Sequence, residues 1–236
     1  VLGDVDWQDR AAEDARFTDC VFEDAVFTNT NFAGASFQRC RFLRCRFSHA
    51  ALKEAVFQEC AFSTRDGGSE GCSFSVTDMR QSRFVKCDLS LCHIERCDLY
   101  SVEMDQCNLL GARLHKVDFS QGYSRKVVLN RAIFRGCNLD LADLSALRLA
   151  DCDLTGSRFR EADLRATELT NATLRDVDLF QAVLTGAKLE GADLRGAEIS
   201  GLNLLSLANF NGMTIDQSQQ HILLDGLGII VHPDKT

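Results

Sequence analysis

From Leu129 to Leu204 a large apolar residue stands at every fifth position: Leu129, Phe134, Leu139, Leu144, Leu149, Leu154, Phe159, Leu164, Leu169, Leu174, Leu179, Leu184, Leu189, Leu194, Ile199 and Leu204. Two places before most of these centres sits a second inward-type residue, usually small, as at Ala132, Cys137, Ala142, Cys152, Ser157, Ala162, Thr167 and Ala172. On an α-helix a step of five turns through about 500°, which smears the Leu column around the whole surface. In a straight strand an odd step sends successive Leu residues to opposite faces. The pattern therefore predicts a bend in every unit. A short extended piece points the small residue and the centre the same way, with the residue between them facing out, and the other two residues turn a corner. Four corners close a square, so about twenty residues make one coil, and stacked coils pair as parallel strands about 4.8 Å apart.

The same frame organises the rest of the chain. Residues 1–14 hold it weakly, with Trp7 and Ala12 at centres, and are expected to form a frayed first coil. In the first tract, 15–62, ten consecutive centres from Phe17 to Phe62 are filled by nine Phe and Leu52; their rings should stack coil over coil and bury large areas. Phe62 and Phe74 are then twelve residues apart instead of five, and the polar, Gly-rich stretch 63–71 must leave the wall as a projecting loop. The second tract runs over 72–206. Its one polar centre, Ser124, would leave a void and an unsatisfied hydroxyl if buried. A smaller loop is therefore expected near 120–128, replacing a corner without adding length because the frame returns at Leu129 unshifted.

Residues 207–236 read as a cap. Asp216-Gln217-Ser218-Gln219 has the form of an N-cap with its reciprocal partner three residues on. Ile222, Leu223 and Leu227 form an apolar stripe, and Gly226 and Gly228 stop the helix. A stack of parallel coils ends in unpaired backbone and open core, which must be covered. With Ile229, Ile230 and Val231 added, this end offers more apolar surface than one cap needs, so a two-fold homodimer through Ile222, Leu223, Leu227, Ile229 and Val231 is expected.

Composition narrows the function. A formal charge of −8 and a pI near 5.1 argue against direct binding of nucleic acid through its phosphates and favour a basic partner. No apolar run reaches the roughly 18 residues of a membrane span and no secretion signal opens the chain, so the soluble cytoplasm is the default; the start at Val1 rather than Met leaves room for a short leader. All eleven Cys (Cys20, Cys40, Cys45, Cys60, Cys72, Cys87, Cys92, Cys97, Cys107, Cys137 and Cys152) occupy the small inward position, where a free thiol acts as a small buried hydrophobe. Cys20, Cys40 and Cys60 should share one column, Cys72 with Cys92 a second and Cys87 with Cys107 a third. The His residues inside the repeats fall at outward positions, so no Cys/His metal site is expected. No cofactor loop or nucleophile motif is present, and no catalysis is expected.

A surface remains. The position before each centre supplies a column that reads Asp78, Asp98, Asp118, Asn138, Arg158, Asp178 and Glu198, with Glu103, Asp143, Asp153, Asp163 and Asp193 on neighbouring columns. Successive members would lie about 4.8 Å apart, against about 3.4 Å per charge along one DNA strand. A dimer of roughly nine coils per subunit would be an acidic rod on the order of 90 Å long, able to occupy a basic groove built for duplex DNA. The same carboxylates equally serve local turn hydrogen bonds.

Units such as Ala142-Asp143-Leu144-Ser145-Ala146, Ala162-Asp163-Leu164-Arg165-Ala166 and Ala192-Asp193-Leu194-Arg195-Gly196 resemble the A-(D/N)-L-x-x consensus of the pentapeptide-repeat family. That resemblance implies an all-β solenoid, a right-handed quadrilateral β-helix, over almost the whole chain. The loop between Cys60-Ala61-Phe62 and Gly71-Cys72-Ser73-Phe74, the second loop after Phe119, and the ending from Ile215 to Asp234 are similar to the Qnr quinolone-resistance group, related to MfpA, McbG and AlbG. The regular stretch Leu144-Leu149-Leu154 departs from plasmid-borne members, which carry a Trp-containing irregularity there.

The resemblance implies a non-enzymatic protein, dimeric through its C-terminal ends, that protects DNA gyrase and topoisomerase IV from fluoroquinolones or other gyrase poisons. It further implies that the larger loop, with Arg65, Asp66 and Glu70, and the smaller, with Tyr123, Arg125 and Lys126, contact the enzyme. The acidic residues Asp78, Asp98, Asp118, Asp143, Asp163, Asp178 and Glu198 would lie along its DNA-binding saddle. Immunity to a natural gyrase toxin and a passive protein-interaction scaffold are the other functions open to such a chain.

Overall fold

The computed structural model describes residues 5–63, 71–124 and 127–232. Arg65, Asp66, Glu70, Arg125 and Lys126 lie outside the described residues. Each unit folds as the period demands. A three-residue extended piece buries its centre, and the residue two places after the centre takes the left-handed conformation, as at Asp19 (φ 54°), Asp24 (φ 52°), Asn29 (φ 52°) and Gly34 (φ 67°). Asp and Asn reach that region at lower cost than other side chains because their short polar groups bond the local backbone.

Stacking generates four parallel walls. One is the six-stranded sheet of β1 (Arg16–Thr18), β4 (Ser36–Gln38), β7 (Val56–Gln58), β9 (Arg83–Val85), β11 (Val102–Asp105) and β15 (Ala132–Arg135). A second is the five-stranded sheet of β3 (Val26–Thr28), β6 (Arg46–Ser48), β8 (Ser73–Ser75), β10 (His93–Glu95) and β12 (Arg113–His115). A third starts as the pair β2 (Val21–Glu23) and β5 (Arg41–Leu43), and the fourth is a ladder of single bridges beginning Ala11–Asn31–Ala51–Asp78. On the six-stranded wall the register runs Arg16, Ser36, Val56, Arg83, Glu103, Ile133, Asp153, Thr173, Asp193, Thr214, which is nine coil-to-coil steps.

Most steps are of twenty residues; the exceptions are the insertions. Phe47 pairs with Phe74, a step of 27, so the first loop adds seven residues, as the frame break requires. Met104 pairs with Phe134, a step of 30, so the second interruption adds ten. It is an antiparallel hairpin of β13 (Ser120–Ser124) and β14 (Val127–Asn130), with a register shift between Gly122 and Ser124. The expectation that this loop replaces a corner without adding length is therefore corrected. Ten residues are two whole units, so the insertion leaves the five-residue frame intact and is invisible to it. Leu129 is correspondingly no core centre: it pairs with Gln121 across the hairpin and is 48% exposed.

The core is a continuous apolar column. Stacked rings line its first half: Phe17, Phe37, Phe57 and Phe84 sit 4.7–4.8 Å apart, Phe22, Phe42 and Phe62 likewise, and Phe27, Phe47 and Phe74 are 4.6 Å apart. The first coil is better held than its weak frame suggests. Ala11 bridges Asn31, and the Trp7 ring covers the open end with its centroid 5.6 Å from those of Phe22, Phe27 and Phe32.

Ten of the eleven free cysteines are buried and Cys20 is half-buried. The seven- and ten-residue insertions bring Cys20, Cys40, Cys60, Cys87, Cys107 and Cys137 onto one inner corner, which Ser157 continues, so two of the expected stacks are parts of one longer ladder, while Cys72 and Cys92 stack on a second with Cys45. Most inward S–H and O–H groups donate to the centre carbonyl of the preceding coil, as from Cys60 Sγ to Phe37 O at 3.4 Å and Ser157 Oγ to Phe134 O at 2.8 Å, whereas Cys20 donates to Thr18 O and Ser82 to Met79 O. Burial pushes the Cys97 thiol up to about 11 and Cys152 up to about 12, which keeps them protonated and unreactive.

At the other end, a step of 21 residues from Lys188 to Asn209 accommodates a 3-10 turn at Leu204–Ser206. The capping box at Asp216 is present and leads through a 3-10 turn into α1 (Gln220–Gly226). Gln219 is buried and its amide donates to Leu194 O and Ala197 O, closing the last coil's open carbonyls. Gly228 (φ 74°) ends the helix, its N–H donating to Asp225 O while Ile229 N donates to Leu224 O; these are the two bonds of a Schellman motif.

Candidate partner-binding surfaces

Three surface features stand out from the smooth wall. The first is the base of the larger loop. Ser63 and Gly71 form an antiparallel bridge, and Ser63 Oγ donates to Asp88 Oδ2 while accepting from Ser90 Oγ, both at 3.0 Å. Gly71 is required where the chain re-enters: a Cβ there would lie 2.6 Å from Ser90 O and 2.7 Å from Cys92 N, closer than backbone atoms allow. The loop is thus pinned at its root onto the following coil. The second feature is the β13–β14 hairpin, which contains Tyr123 and stands one corner away from the wall bearing Asp78, Asp98 and Asp118.

The acidic residues do not form the single column expected from their spacing. Asp78, Asp98 and Asp118 share one wall, but the ten-residue insertion advances the chain by half a coil. That wall then continues as Arg148, Glu168 and Lys188, while Asn138, Arg158, Asp178 and Glu198 stack on the opposite wall above Asp88 and Asn108. Asp143 and Asp163 lie on a third wall, above Arg113.

Nor are these carboxylates idle. Asp78, Asp98, Asp118, Asp143, Asp163 and Asp178 each accept the N–H two residues on at 2.9–3.1 Å, and Glu198 accepts that of Ser200 at 2.8 Å. Several also face arginine: Asp78 pairs with Arg80 at 2.6 Å, Asp163 with Arg165 at 2.5 Å and Asp178 with Arg160 at 2.5 Å. The Arg195 guanidinium holds Asp193 down at about 2. Asp98 behaves oppositely, its carboxyl raised by burial and by Asp78 and Asp118 above and below it. The continuous acidic stretch is therefore short, three coils at Asp78, Asp98 and Asp118, and lies along the chain between the seven-residue insertion and the hairpin.

The third feature is the C-terminal end. Leu223, expected at an interface, is instead buried within its own chain as part of the plug, and Ile222 packs half-buried beside it. Leu227, Ile229 and Val231 are exposed, joined by Ile230 at 80% and, from the last coil, Leu205 at 79% and Phe210 at 41%. The last two escaped the sequence reading because nothing in a decaying repeat says which residues have left the tube. Among the described residues no group of three His, Cys, Asp or Glu is arranged to hold a metal, and no helix is long and apolar enough to cross a membrane.

Family models of pentapeptide repeats match residues 12–56 (nine copies), 82–121 and 107–145 (eight copies), and a pentapeptide repeat region matches 127–219. The chain belongs to the pentapeptide-repeat family. No curated protein matches it. Among solved pentapeptide-repeat structures it is similar to full-length QnrB1, a plasmid-mediated fluoroquinolone resistance protein, at 23% identity with a TM-score of 0.79, over 93% of this chain and 100% of that one. A trypsin-treated form of QnrB1 superposes with a TM-score of 0.76, also at 23% identity, over 95% and 99% of the two chains. HetL, a pentapeptide repeat protein involved in heterocyst differentiation regulation in the cyanobacterium Nostoc, is 19% identical over 88% of this chain and 87% of that one, with a TM-score of 0.46. The fold shared with QnrB1 is the all-β right-handed quadrilateral helix with its short C-terminal helix.

Proposed function

We propose that this pentapeptide-repeat protein protects bacterial type II topoisomerases, DNA gyrase or topoisomerase IV, from fluoroquinolones or related gyrase poisons. It does so without catalysis, by binding the enzyme through its two protrusions and the acidic coils between them. The observation that carries this reading is the end-to-end likeness to a fluoroquinolone resistance protein, with 93% of this chain and all of the other aligned, in a chain whose repeat is interrupted by insertions of seven and ten residues. The Asp78–Asp98–Asp118 wall between them presents like charges at a repeat near that of a nucleic-acid strand. The exposed Leu205, Phe210, Leu227, Ile229, Ile230 and Val231 support a dimer joined at the C-terminal ends, since a patch of this kind marks an interface.

Capture from a bacterial lysate tests the reading. The immobilised protein is expected to enrich gyrase or topoisomerase IV subunits, and deletion of residues 64–70 to reduce that enrichment strongly. A passive scaffold would enrich neither, and an immunity protein would bind the enzyme but protect against a natural product selectively over quinolones.

A further inference from the structure

The outward side of the five-stranded sheet carries chemistry that neither the protrusions nor the acidic wall uses. Arg46, Ser73, His93 and Arg113 align in register on β6, β8, β10 and β12. The residues that follow them add His49, Arg96, His115 and Lys116, and the four cations and three histidines of this strip are all exposed. Its one acid, Glu95, is occupied by Arg96 at 3.4 Å. Among the described residues no ion pair engages Arg46, Arg113 or Lys116. In a chain of net charge −8 this is a local reversal of sign.

The strip has edges. On one side the next wall presents Asp78, Asp98 and Asp118; on the other stand Asp88 and Asp24, the latter paired with Arg44 at 2.7 Å; and along the same wall it ends at Asp143 and Asp163. A groove of about 480 Å³ lined by Asp24, Arg44, Arg46, Gly71, Ser73 and His93 runs along the edge beside the root of the larger loop. A strand of three residues makes the wall about 10 Å wide, and three coil steps from Arg46 to Arg113 make the strip about 14 Å long.

We propose that this strip is a docking surface for a single acidic segment of a protein partner, lying along the tube axis. Charge complementarity selects an anionic occupant. The flanking carboxylates select a narrow one: a helix with its side chains is about 10–12 Å across and fits between the acidic borders, whereas a DNA duplex, wider than its own roughly 12 Å major groove, would overhang them and meet like charge. The inference does not depend on the partner being a topoisomerase.

The test uses the full-length protein and a fluorescein-labelled, Glu-rich helical peptide of about 15 residues, about 22 Å long, followed by anisotropy at about 20 mM and about 300 mM salt. Binding at low salt is expected, weakened at least tenfold by Arg46→Glu with Arg113→Glu and lost at high salt. Arg148→Glu with Lys188→Glu, on a different wall, changes the net charge identically and should leave binding within about twofold of wild type; circular dichroism confirms that both variants fold. No peptide binding at low salt, equal losses in the two double variants, or tighter binding of a short DNA duplex than of the peptide would each overturn the proposal.

Discussion

Val76 shows what the corner asks of a residue. It holds φ 53° with a β-branched side chain that is 40% exposed, so it bears the left-handed strain while contributing little burial. Val76→Gly is expected to raise stability by about 0.5–1 kcal/mol in thermal melts, because relief of strain outweighs the added freedom of the unfolded chain. Gly71→Ala should act the other way, costing about 2 kcal/mol or more, since the new Cβ meets backbone that cannot swing aside. Acid titrates the outward carboxylates. Arg165 and Arg195 hold Asp163 and Asp193 below the ordinary range near 3.9. Their stabilisation is thus complete above the ordinary carboxylate range and lost as pH falls below it, through about 2 for Asp193. Urea midpoints should drop over that window, and Arg195→Gln should flatten part of the drop.

At the scale of the element, each end of the tube is closed differently. Trp7 closes the first end with four ring contacts, to Phe17, Phe22, Phe27 and Phe32, yet its Nε1–H finds no acceptor among the described residues. Trp7→Phe should therefore cost under about 1 kcal/mol. Trp7→Ala should cost about 3 kcal/mol and speed hydrogen exchange in the first two coils while sparing the rest, as expected where each coil contacts only its neighbours. In the Asp78–Asp98–Asp118 column, Asp98→Asn retains an oxygen for the Tyr100 N–H and removes the burial cost of the charge together with repulsion from Asp78 and Asp118, which outweighs loss of the exposed Arg80 ion pair at 3.5 Å. It should stabilise by a few tenths to about 1 kcal/mol at neutral pH, the gain shrinking as acid protonates the wild-type carboxyl.

The sheet walls and core centres were legible in the sequence because burial alone sets them: Phe17 to Phe62 and Phe134 to Ile199 follow the frame without exception. The hairpin was legible as an event, through Ser124, but not as a length, because a ten-residue insertion is commensurate with a five-residue period. That one ambiguity also displaced the acidic column, since every residue after Phe119 moved half a coil around the tube. A seven-residue insertion is incommensurate with the period and so breaks the frame between Phe62 and Phe74.

For the whole molecule, the exposed C-terminal patch predicts a dimer and the two protrusions predict a partner. Ile229→Lys with Ile230→Lys is expected to give a monomer by light scattering with an unchanged melting profile of the coils, because neither side chain belongs to the buried core. An unaltered dimer would move the interface elsewhere. The central claim, protection of a poisoned topoisomerase by a non-enzymatic rod, is tested most directly by DNA supercoiling with purified gyrase at an inhibitory ciprofloxacin concentration. Added protein should restore supercoiling in a dose-dependent way, and the variant lacking residues 64–70 should restore little or none. Inhibition that persists unchanged at saturating protein would contradict the account.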